Sequence, residues 1–159
     1  MVKIALQLKL NLENLTDLIP EGEDFRWYVK VKCSNCQEES KAFVYLSLLE
    51  SSPLKGGRGQ ASLVSKCKLC SRENSIDILK DTITSYNLED SNAFKTIVQF
   101  DCRGMEPNEF SARTGWVAKG AETSTKFNVD LTEGDWCDFD EKAGQSVGVY
   151  EIESRFIKA

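Results

Sequence analysis

The sequence contains no histidine. Nucleophilic systems of the Ser-His-Asp and Cys-His types depend on an imidazole that titrates near neutral pH, so both are excluded. Zinc sites built from three His, or from two His and a carboxylate, are excluded for the same reason. Any zinc ion bound by this chain must therefore be held by cysteine thiolates and carboxylates.

Long apolar runs are also missing. No stretch approaches the roughly 20 apolar residues that span a bilayer. The apolar residues near the start alternate with Lys3, Gln7 and Lys9 instead of forming the continuous run of a signal peptide. We therefore expect a cytoplasmic protein with access to the nucleus and no membrane partner. In a reducing compartment its six cysteines are interpreted as thiols or metal ligands and not as disulfides.

Helical patterning is scarce, and period-two alternation takes its place. Ile4, Leu6, Leu8, Leu10 and Leu12 share one face of a long, half-buried strand. The same alternation predicts strands over 25–33, 94–102 and 150–156, and shorter strands over 42–49, 61–66, 75–80, 114–118 and 125–131. Short helical turns are predicted only at 87–93 or 140–146. Many short strands separated by turns predict one all-β domain over 1–159, folded as an antiparallel sandwich or barrel-like sheet.

Four cysteines form two closely spaced pairs, Cys33 with Cys36 and Cys67 with Cys70. Two residues between paired cysteines let both sulfurs approach one ion from a tight turn, and two such turns complete a tetrahedral shell of four thiolates. Each pair follows one predicted strand and precedes another. The pattern predicts one structural zinc ion, and a tetrahedral set of four sulfurs also admits iron. A thioredoxin-type redox pair is the competing interpretation, but such a pair normally opens a helix and needs only one CxxC.

The other two cysteines lie outside this pattern. Cys102 continues the buried alternation of its strand, which favours a small core residue. Its neighbour Arg103 also allows the hypothesis of a nucleophilic thiol with a lowered pKa. Cys137 lies between Trp136 and Asp138, where nearby carboxylates oppose a reactive thiolate, so a structural role is predicted for it.

Two further segments invite a functional interpretation. The basic loop around Gly56–Gly59 could cradle a phosphate with its amides, but it lacks the spacing of a P-loop, so a plain connection is predicted. The acidic segment 133–141 surrounds Trp136 and Phe139 with five carboxylates. It lacks the pattern of an EF-hand loop, which favours a solvated face. An apolar anchor with a charged rim is also typical of protein interfaces, and that hypothesis predicts a basic partner.

The charge is unevenly distributed along the chain. Residues 1–80 carry 12 Lys and Arg against 10 Asp and Glu, whereas residues 81–159 carry 8 against 15. The net charge of −5 is a poor match for a phosphate backbone. The sequence therefore predicts no nucleic-acid partner, and a zinc ribbon that binds RNA or DNA is the least favoured of the functions considered.

Several segments match a known family when they are taken together: GEDFRWY at 22–28, the pair Cys33 and Cys36, LKGGRG at 54–59, KCKLCSRENSI at 66–76, FKTIVQFDCRG at 94–104 and SVGVYE at 146–151. In these segments the chain resembles the eukaryotic CXXC-motif-containing zinc-binding proteins, over essentially its whole length. The resemblance implies an all-β fold and one zinc ion at Cys33, Cys36, Cys67 and Cys70. It implies no established catalytic activity, and Cys137 matches no motif of the family.

Together these features predict a monomeric zinc-binding protein that acts through contacts with other proteins, within metal handling. The main alternative is a thiol oxidoreductase in which the zinc is scaffold and Cys102 is the nucleophile. The reactivity of Cys102 separates the two, because a thiol with an ordinary pKa, about 8.5, argues against an enzyme.

Overall fold

The structure is a computed structural model that describes residues 2–49, 52–53, 60–67 and 69–159. The described residues form fourteen strands: β1 (Val2–Glu13), β2 (Leu15–Pro20), β3 (Trp27–Cys33), β4 (Val44–Leu46), β5 (Ser52–Pro53), β6 (Gln60–Ala61), β7 (Leu63–Lys66), β8 (Glu73–Leu79), β9 (Lys95–Arg103), β10 (Met105–Ser111), β11 (Trp116–Gly120), β12 (Lys126–Val129), β13 (Trp136–Asp140) and β14 (Gln145–Lys158). Two short 3-10 segments, Lys80–Thr82 and Leu88–Asp90, are the only helical elements in this part of the chain.

The strands pair into antiparallel sheets. The largest has six strands in the order β13-β14-β1-β9-β8-β7, and two three-stranded sheets have the orders β10-β3-β4 and β12-β11-β2. Strands β5 and β6 form a separate two-stranded pair. The predicted all-β antiparallel fold is confirmed. The predicted helical turn near 87–93 is present as the second 3-10 segment, whereas 141–144 form a turn between strands. Within the described ranges, no helix has the length and apolarity needed to cross a membrane.

Strand β1 lies at the centre of the largest sheet, between β14 and β9. Its alternation follows the prediction, because Ile4, Leu6, Leu8, Leu10 and Leu12 are all at most 4% exposed. Burying one Leu or Ile side chain contributes about 1.5–3 kcal/mol to stability. This single strand therefore supplies a substantial share of the hydrophobic core.

Aromatic residues connect the sheets through the core. Trp27 of β3 and Trp116 of β11 are each 1% exposed, with ring centroids 6.0 Å apart. Phe25 packs edge-on against both rings, at 4.8 and 5.1 Å. Phe100 of β9 lies 6.2 Å from Trp27. Edge-to-face pairs of this kind add about 0.5–1.5 kcal/mol each beyond the area that they bury.

Four strands were not predicted from the pattern: β2, β5, β10 and β13. β2 and β13 have only six and five residues, and β10 contains Pro107, a residue type that is more common in turns. Between β9 and β10 the chain bends only at Gly104. Pro107 lies within β10, where it pairs with Val31 next to a bulge. Proline is tolerated at such irregular positions because it has no N–H to contribute to the ladder.

Strand β14 contains a bulge that changes which of its side chains face the core. Pairing between β1 and β14 shifts between Lys9 and Asn11, and Glu151 adopts a positive φ of 56°. An extra residue moves the following side chains to the opposite face. Val147 and Val149 are fully buried before the bulge, whereas after it the even-numbered Ile152 and Phe156 pack against the core, as the alternation predicted over 150–156 implies.

Candidate metal centre

The structure places each cysteine pair in a tight turn at the end of a strand. Cys33 is the last residue of β3, and Cys36 lies in the turn that follows it. Cys67 comes directly after β7, and Cys70 lies in the turn that leads to β8. We call residues 33–38 the first cysteine turn and residues 67–72 the second cysteine turn. This is the predicted arrangement of two turns that face each other.

The two turns share the same backbone hydrogen bonds. The N–H of Gln37 donates to the carbonyl of Cys33 at 2.9 Å, and that of Ser71 donates to Cys67 at 2.8 Å. The amide of the first cysteine also donates to the carbonyl five residues later in both turns, at 2.8 and 2.9 Å. Gln37 and Ser71 both adopt a left-handed conformation, with φ of 68° and 62°. The CxxC spacing thus produces the same local fold twice.

All four predicted cysteines are brought together. Their Sγ atoms lie within 4.8 Å of one another, with 3.7 Å between Cys33 and Cys70 and 3.5 Å between Cys36 and Cys67. Sulfurs about 2.3 Å from a central zinc lie about 3.8 Å apart in a regular tetrahedron. The separations of the four sulfurs are therefore of the size that one tetrahedral metal ion requires.

Hydrogen bonds from backbone amides lower the pKa of two of the four thiols. The Cys36 N–H lowers the pKa of Cys33 to about 6, assisted by the Asn35 N–H and the Asn74 amide and opposed by burial. The Arg72 N–H lowers the pKa of Cys70, and the side chain of Asn35 contributes to the same effect. Hydrogen bonds to a thiolate favour the charged form, which is the form that binds a metal.

The pKa of Cys36 is raised, in contrast to those of Cys33 and Cys70. The Glu38 N–H acts to lower its pKa, but burial and the neighbouring sulfurs outweigh that bond and raise the pKa to about 12. Four thiols so close together cannot all ionise without a compensating charge. A divalent ion supplies that charge, so its binding displaces the remaining protons.

The four cysteines differ in exposure. Cys33 is buried at 5% exposure, whereas Cys36, Cys67 and Cys70 are partly exposed. Leu69, between the cysteines of the second turn, is 67% exposed. The cluster thus lies at the surface, and Cys33 is its most enclosed member.

Sequence analysis missed two residues next to the cluster. The buried side chain of Asn74 lies 3.5 Å from Cys33 Sγ, and the carbonyl of Gly104 accepts the N–H of Ser34 at 2.9 Å. Both residues fall in segments that resemble the family, at 66–76 and 94–104, but nothing in those segments places either of them next to the cysteines. Strand pairing determines where the Asn74 side chain points.

The remaining candidate residues lie apart from this centre. Cys102 is 2% exposed, and burial raises the pKa of its thiol to about 12, with smaller contributions from Glu106 and Asp101. Cys137 is exposed on β13. The loop at Gly56–Gly59 lies outside the described residues.

Within the acidic segment 133–141, some side chains pack against the fold and others are exposed to solvent. Trp136 packs edge-on against Phe127 at 6.2 Å, whereas Phe139 is 50% exposed. Asp140 is 1% exposed and accepts hydrogen bonds from the hydroxyl of Thr123 and from two backbone amides of the following turn. The interpretation of this segment as a wholly solvated face is therefore wrong at Asp140.

The fold and the sulfur cluster define a small all-β protein with a tetrathiol metal site. The model of one family, described as CXXC motif containing zinc binding protein, eukaryotic, matches residues 5–157. The chain belongs to this family, as its sequence motifs indicate.

Similar proteins match the chain from end to end. A UPF0587 protein of Nematostella vectensis is 63% identical, and the CXXC motif containing zinc binding proteins of Xenopus laevis and Homo sapiens are 60% and 58% identical. Each alignment covers 99% of both chains. The crystal structure of C1orf123 has 57% identity and a TM-score of 0.96, again over 99% of both chains. A hypothetical protein from Plasmodium falciparum shares the fold, with a TM-score of 0.88 at 21% identity.

Proposed function

We propose that this protein binds one structural zinc ion through Cys33, Cys36, Cys67 and Cys70. We further propose that it acts as a cytoplasmic monomer through contacts with other proteins, within metal handling. One observation carries the zinc assignment: four sulfurs lie within 4.8 Å of one another on two turns with matching backbone hydrogen bonds. Membership in a family of zinc-binding proteins supports the choice of zinc over iron.

The placement of the turns supports a structural role for the ion. The first cysteine turn follows β3 of a three-stranded sheet, and the second joins β7 and β8 at the edge of the six-stranded sheet. One ion bound by both turns therefore links two sheets. Four protein ligands fill a tetrahedral shell and leave no position for a substrate or water.

The remaining chemistry does not favour an enzyme. The chain has no histidine to act as a general base. The Cys102 thiol is 2% exposed and its pKa is about 12, so little thiolate is accessible there at neutral pH. These observations weigh against the oxidoreductase alternative and support a role in binding.

Strand β13 supports a role in protein contacts. It is an edge strand of the largest sheet, and edge strands carry backbone groups that can pair with another chain. Phe139 is 50% exposed on this strand, with the exposed carboxylates of Asp138 and Glu141 beside it. An apolar anchor with a charged rim suits a partner that presents Lys or Arg, and such association weakens as salt rises. Neither a duplex nor a membrane surface is a good match for this acidic region.

Metal analysis tests the first part of the proposal. Purified protein should contain one zinc ion per chain, because both cysteine pairs are needed for a single tetrahedral shell. A content of zero or two ions would contradict the proposed stoichiometry. Size-exclusion chromatography with light scattering on the same sample should give the mass of one chain.

A capture experiment tests the second part. Zinc-loaded protein serves as bait, and a variant with Phe139→Ser, Asp138→Asn and Glu141→Gln should capture less of every partner that the wild type recovers. Leu88→Ser is the matched control, since Leu88 is an apolar residue 41% exposed elsewhere on the surface. Zinc content and melting temperature should stay unchanged in both variants. Undiminished capture by the triple variant would remove β13 from the proposed contact surface.

A further inference from the structure

The buried side chain of Asn74 lies between the metal centre and the junction of two sheets. Asn74 is the second residue of β8 and is 3% exposed. On one side its amide lies 3.5 Å from Cys33 Sγ. When the NH2 group faces the sulfur, Oδ1 faces the carbonyl oxygens of Gly104 and Glu73, two acceptors to which it cannot bond. When the amide is turned over, the NH2 group donates to both carbonyls at 3.2 Å. An amide with these neighbours must direct its NH2 group either toward the sulfur or toward the carbonyls.

The Asn74 amide occupies the space where a side chain of residue 104 would lie. A Cβ on Gly104 would lie 2.3 Å from Asn74 Oδ1, and the residue has a φ of +77°, which side chains rarely adopt. Gly104 is also the single residue between β9 of the six-stranded sheet and β10 of a three-stranded sheet. The next residue, Met105, pairs with Cys33, so the amide, the sheet junction and the most buried cysteine of the cluster form one contiguous unit.

A loaded metal site favours one orientation of the amide. Four thiolates around a divalent ion carry net negative charge, and a metal-bound sulfur accepts hydrogen bonds but cannot donate them. A hydrogen bond to a charged acceptor is roughly twice as strong as one between neutral groups. The Gly104 carbonyl already accepts the Ser34 N–H at 2.9 Å, so it does not depend on Asn74. The charged hydrogen bond to the sulfur must still outweigh the placement of Oδ1 against the carbonyls of Gly104 and Glu73.

We propose that Asn74 is a positioning residue for the metal, whose side-chain amide donates a hydrogen bond to the metal-bound sulfur of Cys33. Groups that hold a metal ligand in place commonly contribute about one to two orders of magnitude to metal affinity. In this protein the hydrogen bond acts on Cys33, the only buried cysteine among the four of the cluster, so it holds the most enclosed ligand in place. The proposal goes beyond the proposed function, because it assigns a role to a residue outside the four cysteines.

The direct test uses wild-type protein loaded with cadmium-113 in place of zinc. A hydrogen bond to a metal-bound sulfur transmits scalar coupling between the cadmium nucleus and the donor proton. We expect such coupling to a side-chain amide proton of Asn74. The backbone N–H of Cys36, which bonds the same sulfur, serves as the internal positive control. Coupling to Cys36 without coupling to Asn74 would overturn the proposal and leave Asn74 as a link between β8 and the sheet junction only.

A mutational test measures the consequence for affinity. Asn74→Asp keeps the shape of the side chain but replaces the donor with a carboxylate, so zinc affinity measured by chelator competition should fall by about 10- to 100-fold. Asn74→Ala should lose less, since it adds no negative charge. Ser91→Ala is the structural control, because it removes the acceptor of the Leu12 N–H far along the chain and should lower stability without changing affinity. A folded Asn74→Asp protein with unchanged zinc affinity would overturn the proposal.

Discussion

The two cysteine turns have the same backbone hydrogen bonds and different surroundings. The first turn holds the buried Cys33, which is approached by the amide of Asn74 from another strand. The second turn has partly exposed cysteines and carries Leu69, which is 67% exposed. The CxxC spacing is therefore sufficient for the local geometry of a ligand pair, whereas enclosure of a ligand depends on what the rest of the fold packs against it.

The largest effect should come from removing one ligand from either turn. Cys33→Ser and Cys67→Ser should both lose the zinc ion, because each leaves an incomplete shell. Structural zinc contributes about 10–16 kcal/mol in isolated finger peptides. Loss of even about 5 kcal/mol here would lower the melting temperature by roughly 10–20 °C for a chain of this size. Metal analysis and thermal denaturation measure both effects.

Cys137→Ser is the control for both ligand variants. Its side chain is exposed on β13, so zinc content and melting temperature should stay at wild-type values. The two turns have matching backbone hydrogen bonds, so both ligand variants should lose the metal. If either variant retained one zinc ion per chain, the two turns would not contribute equally to metal binding.

A glycine substitution tests the enclosure of the first turn. Gly104→Ala places a methyl group against the Asn74 amide at a φ of +77°. Strain at such a position costs about 1–3 kcal/mol, and displacement of Asn74 adds to it. We expect a fall in melting temperature of about 2–12 °C together with weaker zinc binding.

Gly144→Ala is the matched control for that substitution. Gly144 also has a positive φ, +67°, but nothing lies within 4 Å of the position of its Cβ. It should reproduce the backbone strain and leave zinc affinity unchanged. Equal zinc affinity in the two glycine variants would show that Gly104 does not support the first turn.

The stability of the protein at alkaline pH should depend on a cysteine outside both turns. Burial raises the pKa of Cys102 from 9.0 to about 12, so the folded state holds this proton more tightly than the unfolded state. The corresponding stability is fully present below pH 9 and is lost as the pH rises toward 12. Denaturant unfolding between pH 8 and 11 should therefore show a shallower decline for Cys102→Ala than for wild type. For Cys137→Ala, the free energy of unfolding should depend on pH as in the wild type. If the free energy of unfolding of Cys102→Ala declined with pH as steeply as that of the wild type, this account would be contradicted.

The smallest effects should come from the residues that precede the second cysteine of each turn. Asn35 contacts the Cys70 sulfur with its side chain, whereas Leu69 occupies the same place in the second turn and faces solvent. Asn35→Ala should weaken zinc binding measurably in chelator competition. Leu69→Ser should change neither affinity nor stability by more than about 0.5 kcal/mol. A loss of affinity in Leu69→Ser would show that this side chain shields the metal.

Much of the molecule could be predicted because its signals are local. The alternation from Ile4 to Leu12 specifies which face of β1 is buried, since side chains of a strand point to opposite faces in turn. The two CxxC pairs specify the sulfur ligands, since two intervening residues close a turn around a metal. Both interpretations need only a few consecutive residues, and both agree with the structure.

Other features depend on contacts between residues far apart in the chain. The bulge at Glu151 changes which side chains of β14 face the core: Val147 and Val149 are buried before it, and Ile152 and Phe156 pack against the core after it. Asp140 belongs to an acidic run in the sequence but is enclosed by the hydroxyl of Thr123 and the amides of the next turn.

The sequence by itself determined the all-β fold class and the two cysteine pairs that are predicted to bind one metal ion, because spacing and alternation along the chain are enough to express them. Only the tertiary structure decided that Cys33 is the most enclosed of the four clustered cysteines and that Asn74 and Gly104 lie against it. The physical reason is that strand register brings residues 33, 74 and 104 together across two sheets. No local pattern encodes a contact between side chains separated by so many residues.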